Sequence, residues 1–188
     1  RVAPWNLFFR AQKLQSLHTE QPAPESSFAF AAVPSAVALG VPVTELEVKY
    51  PQLRSTWKLG EGSFPWAASS EPAWFRWMDG TEHLQEGGDQ VLAKNVVVME
   101  VAHDLSFVDP KYGAIPKAKI VDNQGIAHIF SDGYYIQAQW SKGAIDEPIL
   151  LNLDSGEPVK LAIGNTWIEM MDLPKSKLTI TEPEAASE

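Results

Sequence analysis

The sequence predicts a mainly β protein: an antiparallel multi-stranded sheet or sandwich built from hairpins, with one short helix near the N-terminus. Three observations predict it. Leu46, Val48 and Tyr50 alternate with Glu45, Glu47 and Lys49, the two-residue period of a strand with one wet face. Turn signals recur at short intervals after Pro51, too closely for strand–helix–strand crossovers. Residues 95–101 read Asn-Val-Val-Val-Met-Glu-Val, a nearly continuous apolar run that suits a central strand covered on both faces.

Taken in order, Leu7, Ala11, Leu14 and Leu17 fall at roughly helical spacing behind Asn6, a suitable N-cap, and predict one amphipathic helix. From His18 to Val43 the composition turns to Pro, Ala, Ser and Glu. Pro22, Pro24, Pro34 and Pro42 remove backbone donors there, so an extended connection is expected, with one short strand between Phe28 and Val33. Further on, Asp79-Gly80 closes the strand Trp74 to Met78, Asn123-Gln124-Gly125 follows Lys117 to Val121, and Asp132-Gly133 separates Ala127 to Phe130 from Tyr134 to Trp140. Asp154-Ser155-Gly156 precedes Val159 to Ile163. Glycine at such corners supplies the positive φ that tight hairpin loops require. Thr166 to Met171 and Lys177 to Thr181 complete the strands, and the acidic stretch Glu182 to Glu188 is expected to fray.

With 188 residues, 45% hydrophobic and 21% charged, the chain has the composition of a packed domain. A net charge of −9 repels phosphate backbones and anionic headgroups, which argues against nucleic acid as a partner. No apolar run approaches the roughly 20 residues that cross a bilayer, so no membrane span is expected in this chain. The absence of cysteine removes disulfides, thiol nucleophiles and thiolate metal sites, and leaves the compartment open.

Among the polar residues, His103 and Asp104, with Asp109 nearby, sit where the central strand gives way to a loop. A histidine and two carboxylates could polarise a water or hold a cation. The plainer reading makes Asp104 and Asp109 turn formers and His103 a sheet-edge hydrogen-bonding group. His18, His83 and His128 occur one per element and form no ligand spacing, and no metal or cofactor is predicted. Residues 122–125 resemble the start of a calcium loop but lack its further acidic residues, so a hairpin turn is expected. No glycine-rich phosphate loop occurs, and no serine lies in a nucleophile elbow. Seven tryptophans are many for this length, and Trp57, Trp66, Trp74 and Trp77 fall close together. Strand alternation sends Trp74 and Trp77 to opposite faces, and Trp140 and Trp167 read as core. Trp66, between Pro65 and Ala67, is the one expected at the surface, where an aromatic ring can stack on a sugar or a proline-rich peptide. The candidate ligand-binding residues are therefore Trp66, Trp74, Trp77, His103, Asp104 and Asp109, and none is assigned a catalytic role.

Three strings carry a family resemblance: Ala93-Lys94-Asn95-Val96-Val97-Val98-Met99; Phe130-Ser131-Asp132-Gly133 leading to Ala138-Gln139-Trp140-Ser141-Lys142; and Leu161 through Gly164-Asn165-Thr166-Trp167-Ile168. Phe75-Arg76-Trp77 with Gly80 and His83, and the strand from Val43 to Tyr50, extend it. Together they resemble the C-terminal domain of the YerB-like lipoproteins of bacteria, the DUF3048 family. The opening Arg1-Val2-Ala3-Pro4-Trp5-Asn6-Leu7 is similar to a segment of that family's first domain, with Trp5 where a histidine is usual. The resemblance implies a remnant of the first domain over residues 1–50, a β-rich C-terminal domain over 51–181 and a flexible tail over 182–188. It further implies an extracytoplasmic parent tethered to the membrane by lipid. The missing upstream part is then a possible second chain covering Leu7, Phe8 and Phe9. The expected function is a non-catalytic binding or structural module that presents loops or aromatic surface to a cell-envelope component or another protein. The alternative is a hydrolase or metal-assisted enzyme centred on His103, Asp104 and Asp109.

Overall fold

The computed structural model describes residues 11–17, 19–20 and 26–184. Helix α1 spans Ala11–Ser16, the part of the expected N-terminal helix within that range. Its expected cap Asn6, the apolar residues Leu7, Phe8 and Phe9, together with His18, Pro22, Pro24 and the last four residues of the acidic tail, lie outside the described residues. Then come β1 (Ala29–Ala31), α2 (Ser35–Leu39), β2 (Val41–Pro42), β3 (Glu45–Lys49), β4 (Arg54–Gly62), β5 (Glu71–Met78), β6 (Thr81–Glu82), β7 (Leu92–Ala93) and β8 (Asn95–Glu100). The second half holds β9 (His103–Asp104), β10 (Val108–Asp109), β11 (Gly113–Ala114), β12 (Lys117–Ala118), β13 (Asn123–Ser131), β14 (Tyr134–Lys142), β15 (Leu150–Asn152), β16 (Lys160–Ala162), β17 (Thr166–Met171) and β18 (Lys177–Thr181). Helix α2 interrupts what reads as an extended connection. Pro34 stands at its N-cap with extended backbone, where the missing N–H takes no helical hydrogen bond away.

The fold is mainly β, as expected. One sheet runs β15-β14-β13-β8-β17, with β2 beside β14; the other runs β18-β3-β4-β5-β6, with β7 beside β5. Leu46, Val48, Trp57 and Trp74 of the second sheet form one buried cluster with Val96, Val98, Phe130 and Met171 of the first, so the two sheets share a core. The other face of the first sheet buries Val97, Met99, Ile129 and Trp140 against Val159 and Leu161. Strand β8 is therefore covered on both faces, successive valines entering different cores, as its unbroken apolar run requires. Strand β3 shows the opposite case, with Leu46 and Val48 inside and the charged residues between them outside.

Pairing differs from the all-antiparallel expectation at one place in the core sheet. Strand β17 lies parallel to β8, because the chain has by then crossed through β14, β15 and β16 before returning to the free side of β8. The expected corners at Asp79-Gly80 and Asp132-Gly133 are present, with both residues of each pair at positive φ, the signature of a two-residue hairpin turn. The expected turn at residues 123–125 is not. The corner falls at Val121 and Asp122, and Gly125 lies inside β13, opposite Trp140. Glycine is there for space: a Cβ would come within 2.8 Å of both the Glu100 carbonyl and Trp140 Nε1.

Two polar ties join elements across the fold. The buried Asn95 side chain donates to the Ala162 carbonyl at 2.9 Å and accepts from the Ala162 amide at 3.0 Å, so it pairs with the end of β16 as another strand would. Between the sheets, Glu169 on β17 accepts from Tyr50, Ser55, Trp57 and Arg76. Arg76 Nη1 donates in turn to His83 Nδ1 at 2.8 Å, which fixes that ring nitrogen as the acceptor.

Candidate functional site

The sheets are joined at one end by Lys94, the residue at which the chain leaves β7 in one sheet and enters β8 in the other. Strand β7 must pair with β5 and β8 with β13, so the corner turns inward and the lysine side chain is only 7% exposed. A buried ammonium needs acceptors, and it has three: Glu71 Oε2 at 2.9 Å, Asp132 Oδ1 at 2.8 Å and the Pro72 carbonyl at 3.3 Å. Burial pulls the Lys94 pKa down, but the hydrogen bonds to Asp132 and Glu71 outweigh it and hold the group above the ordinary lysine value, fully charged. Glu71 comes from the start of β5 and Asp132 from the tip of the β13–β14 hairpin. The pairing that forms the sandwich thus sets two carboxylates around one cation.

These residues line a cleft of about 630 Å³, within the size range of small-molecule sites. Trp66 and Tyr134 supply aromatic surface, and Ala162 and Ile163 part of the apolar wall. Trp66 is 52% exposed, in agreement with its expected surface position. Its indole stacks on the buried Phe64 ring at 4.9 Å and 19°, and Phe64 lies beneath the Lys94 ammonium. The Ala67 amide donates to the Phe64 carbonyl and closes the turn that carries Trp66. The ring therefore sits on a fixed support. With two carboxylates and one ammonium, the polar part of the cleft carries a formal charge of −1. Lys94 spends its donors inside the protein, so the charged groups of the cleft offer a ligand carboxylate lone pairs, beside the aromatic surface of Trp66 and Tyr134.

The other sequence candidates are scattered. Trp74 is wholly buried between the sheets, edge-on to Phe130, and offers no ring face to a ligand. Trp77 lies on the outer face of β5 with Lys58 Nζ 5.2 Å from its ring centroid. His103, Asp104 and Asp109 belong to an arm formed by the β9–β12 and β10–β11 ladders. Asp104 accepts from the Ser106 amide, which holds its carboxyl below the usual range, and Asp109 accepts from the Lys111 and Tyr112 amides at the arm's tip. His103 Nδ1 donates to the Val101 carbonyl, with Asp172 Oδ1 3.4 Å away. Among the described residues, no group of three histidine or acidic side chains could hold a metal ion.

Sequence reasoning missed Glu71, Lys94 and Asp132 as a unit. Asp132 reads as a turn residue, and it is one; that its carboxylate also meets Lys94 depends on residues far along the chain. A lysine directly preceding an apolar strand was the one available signal.

Three comparisons bear on the chain as a whole. The family model described as the C-terminal domain of a protein of unknown function, DUF3048, matches residues 52–168. The crystal structure of the YerB protein from Bacillus subtilis is similar, with a TM-score of 0.60 at 16% sequence identity. The likeness covers 89% of this chain and 52% of YerB, so the chain spans about half that protein's length. No curated protein sequence matches the chain.

Proposed function

The chain belongs to the DUF3048 family of YerB-like proteins, and on that premise we propose that it is a non-catalytic binding module whose ligand site is the Trp66 cleft. One observation carries the reading: an exposed tryptophan, stacked on a buried ring, stands beside two carboxylates held by a buried lysine. Fixed aromatic surface with a few convergent polar groups is the usual make-up of a ligand site. At the arm, Asp104 and Asp109 are engaged by amides of their own loops, which favours their role as turn formers over the hydrolase alternative.

The proposed partner is a cell-envelope component, and the proposed setting is extracytoplasmic, in a parent protein tethered by lipid. The resemblance to YerB-like lipoproteins supports this. No described helix is long and apolar enough to cross a membrane.

Cosedimentation with bacterial cell-envelope fragments tests the reading. The wild-type chain is expected to sediment with them and Trp66→Ala to lose most of that binding while keeping its circular dichroism and melting temperature. Equal sedimentation of the two, or none by the wild type, refutes the cleft as the binding site.

A further inference from the structure

The chemistry of the cleft narrows the class of ligand, an inference that rests on the Trp66 cleft being the binding site. Two demands act together. The indole face wants an apolar surface about the size of one ring. The rim wants hydrogen-bond donors, because Glu71 and Asp132 each keep acceptor sites beyond the one given to Lys94, whereas the Lys94 ammonium is committed to Glu71, Asp132 and Pro72. Phosphates, uronates and other anions meet a formal charge of −1 with no free cation, within a chain of net charge −9, and are repelled. A polyproline segment matches the indole face but brings no backbone N–H to the carboxylates. A pyranose meets both demands, with a flat C–H face for the ring and hydroxyl hydrogens around its edge.

We infer that the cleft takes a neutral pyranose unit of a glycan, its C–H face on Trp66 and its hydroxyls donating to Glu71 and Asp132. Lys94 then holds both acceptors from inside the protein. The cleft's volume of about 630 Å³ leaves room for a ring with its neighbouring linkages.

Isothermal titration calorimetry of the full chain tests this with chitotetraose, cellotetraose and mannotetraose as neutral probes. Tetragalacturonate serves as the anionic probe and a proline decamer as the peptide probe. At least one neutral oligosaccharide is expected to bind, with affinity reduced more than tenfold in Trp66→Ala and less in Trp66→Phe, which keeps a ring. Asp132→Asn preserves a residue tolerant of the positive φ at the turn. It is expected to weaken the neutral sugar and to lessen the discrimination against tetragalacturonate. No binding by any neutral probe, binding unchanged by Trp66→Ala, or preference for the anionic or proline probe overturns the inference. If that happens while sedimentation with envelope fragments still depends on Trp66, the sugar assignment falls and the binding-module reading stands. If Trp66→Ala sediments as the wild type does, both fall.

Discussion

Replacing Glu169 with glutamine should be among the most destabilising near-isosteric changes available to this chain. The carboxylate lies between the sheets, with its own side chain and that of Arg76 each 8% exposed. Oε2 accepts from the Tyr50 hydroxyl at 2.7 Å. Oε1 accepts from Ser55 at 2.7 Å, Trp57 at 3.2 Å and Arg76 at 3.3 Å. In Glu169→Gln the amide oxygen can take the crowded Oε1 side and the amide nitrogen can donate to a rotated Tyr50 hydroxyl, so the shape survives. What is lost is the negative charge: the Arg76 guanidinium keeps a neutral amide oxygen, His83 and the faces of Trp57 and Trp167, 5.6 and 4.6 Å away, but loses its carboxylate counter-charge. Stranding one member of a buried ion pair costs about 3–5 kcal/mol. For a chain of this size that corresponds to a melting temperature lower by roughly 6–20 °C. Urea denaturation should show a lower midpoint at unchanged slope. In a double-mutant cycle, Arg76→Met with Glu169→Gln should cost less than the sum of the singles by about 1 kcal/mol or more. A loss below about 1 kcal/mol for Glu169→Gln, or an additive cycle, would refute the assignment of this pair as a mutually dependent tie between the sheets.

Alkaline pH should act through the same cluster: burial, then the neighbouring Glu169 carboxylate, push the Tyr50 hydroxyl well above its ordinary value, so the folded chain keeps a proton that the unfolded chain releases near pH 10. The contribution of Tyr50 to stability is then fully present below about pH 10 and is lost as pH rises beyond it. Melting scans of Tyr50→Phe should show a shallower decline, with Tyr135→Phe, raised by burial and Glu100, contributing separately. Gly125→Ala should cost about 1–3 kcal/mol in urea because its Cβ would press on backbone and on Trp140. Gly80→Ala, with open space but positive φ, should cost only about 1 kcal/mol. Lys94→Met should lower stability by about 2–4 kcal/mol, less than the full loss for a buried pair because Glu71 is 38% exposed, and adding Asp132→Asn should restore part of it. A Lys94→Met chain as stable as the wild type would show that the two carboxylates do not depend on the lysine.

Much of the architecture is legible in local patterns. The alternation in residues 45–50 specifies which side of β3 is wet, the apolar run at residues 95–101 specifies a strand with two dry faces, and the Asp-Gly pairs place two hairpins. Each of these depends on a residue's own backbone preference or on its immediate neighbours. Gly125 shows where such reasoning stops: glycine beside Asn123 looks like a corner, and only the approach of the Glu100 carbonyl and Trp140 explains why it sits in a strand. Of the candidate site, Trp66 is visible as a tryptophan in a proline-flanked loop, whereas its polar partners are not.

From sequence alone follow the β class, the two Asp-Gly hairpin corners, the doubly buried β8 and the absence of disulfide or thiolate chemistry. The parallel placement of β17, the Arg76–Glu169 tie across 93 positions of chain and the gathering of Glu71, Lys94 and Asp132 belong to the tertiary structure. The physical reason is that strand pairing and buried charge are settled between distant segments. A lysine, a glutamate and an aspartate carry no sign of one another until two sheets close and leave the ammonium no water to turn to.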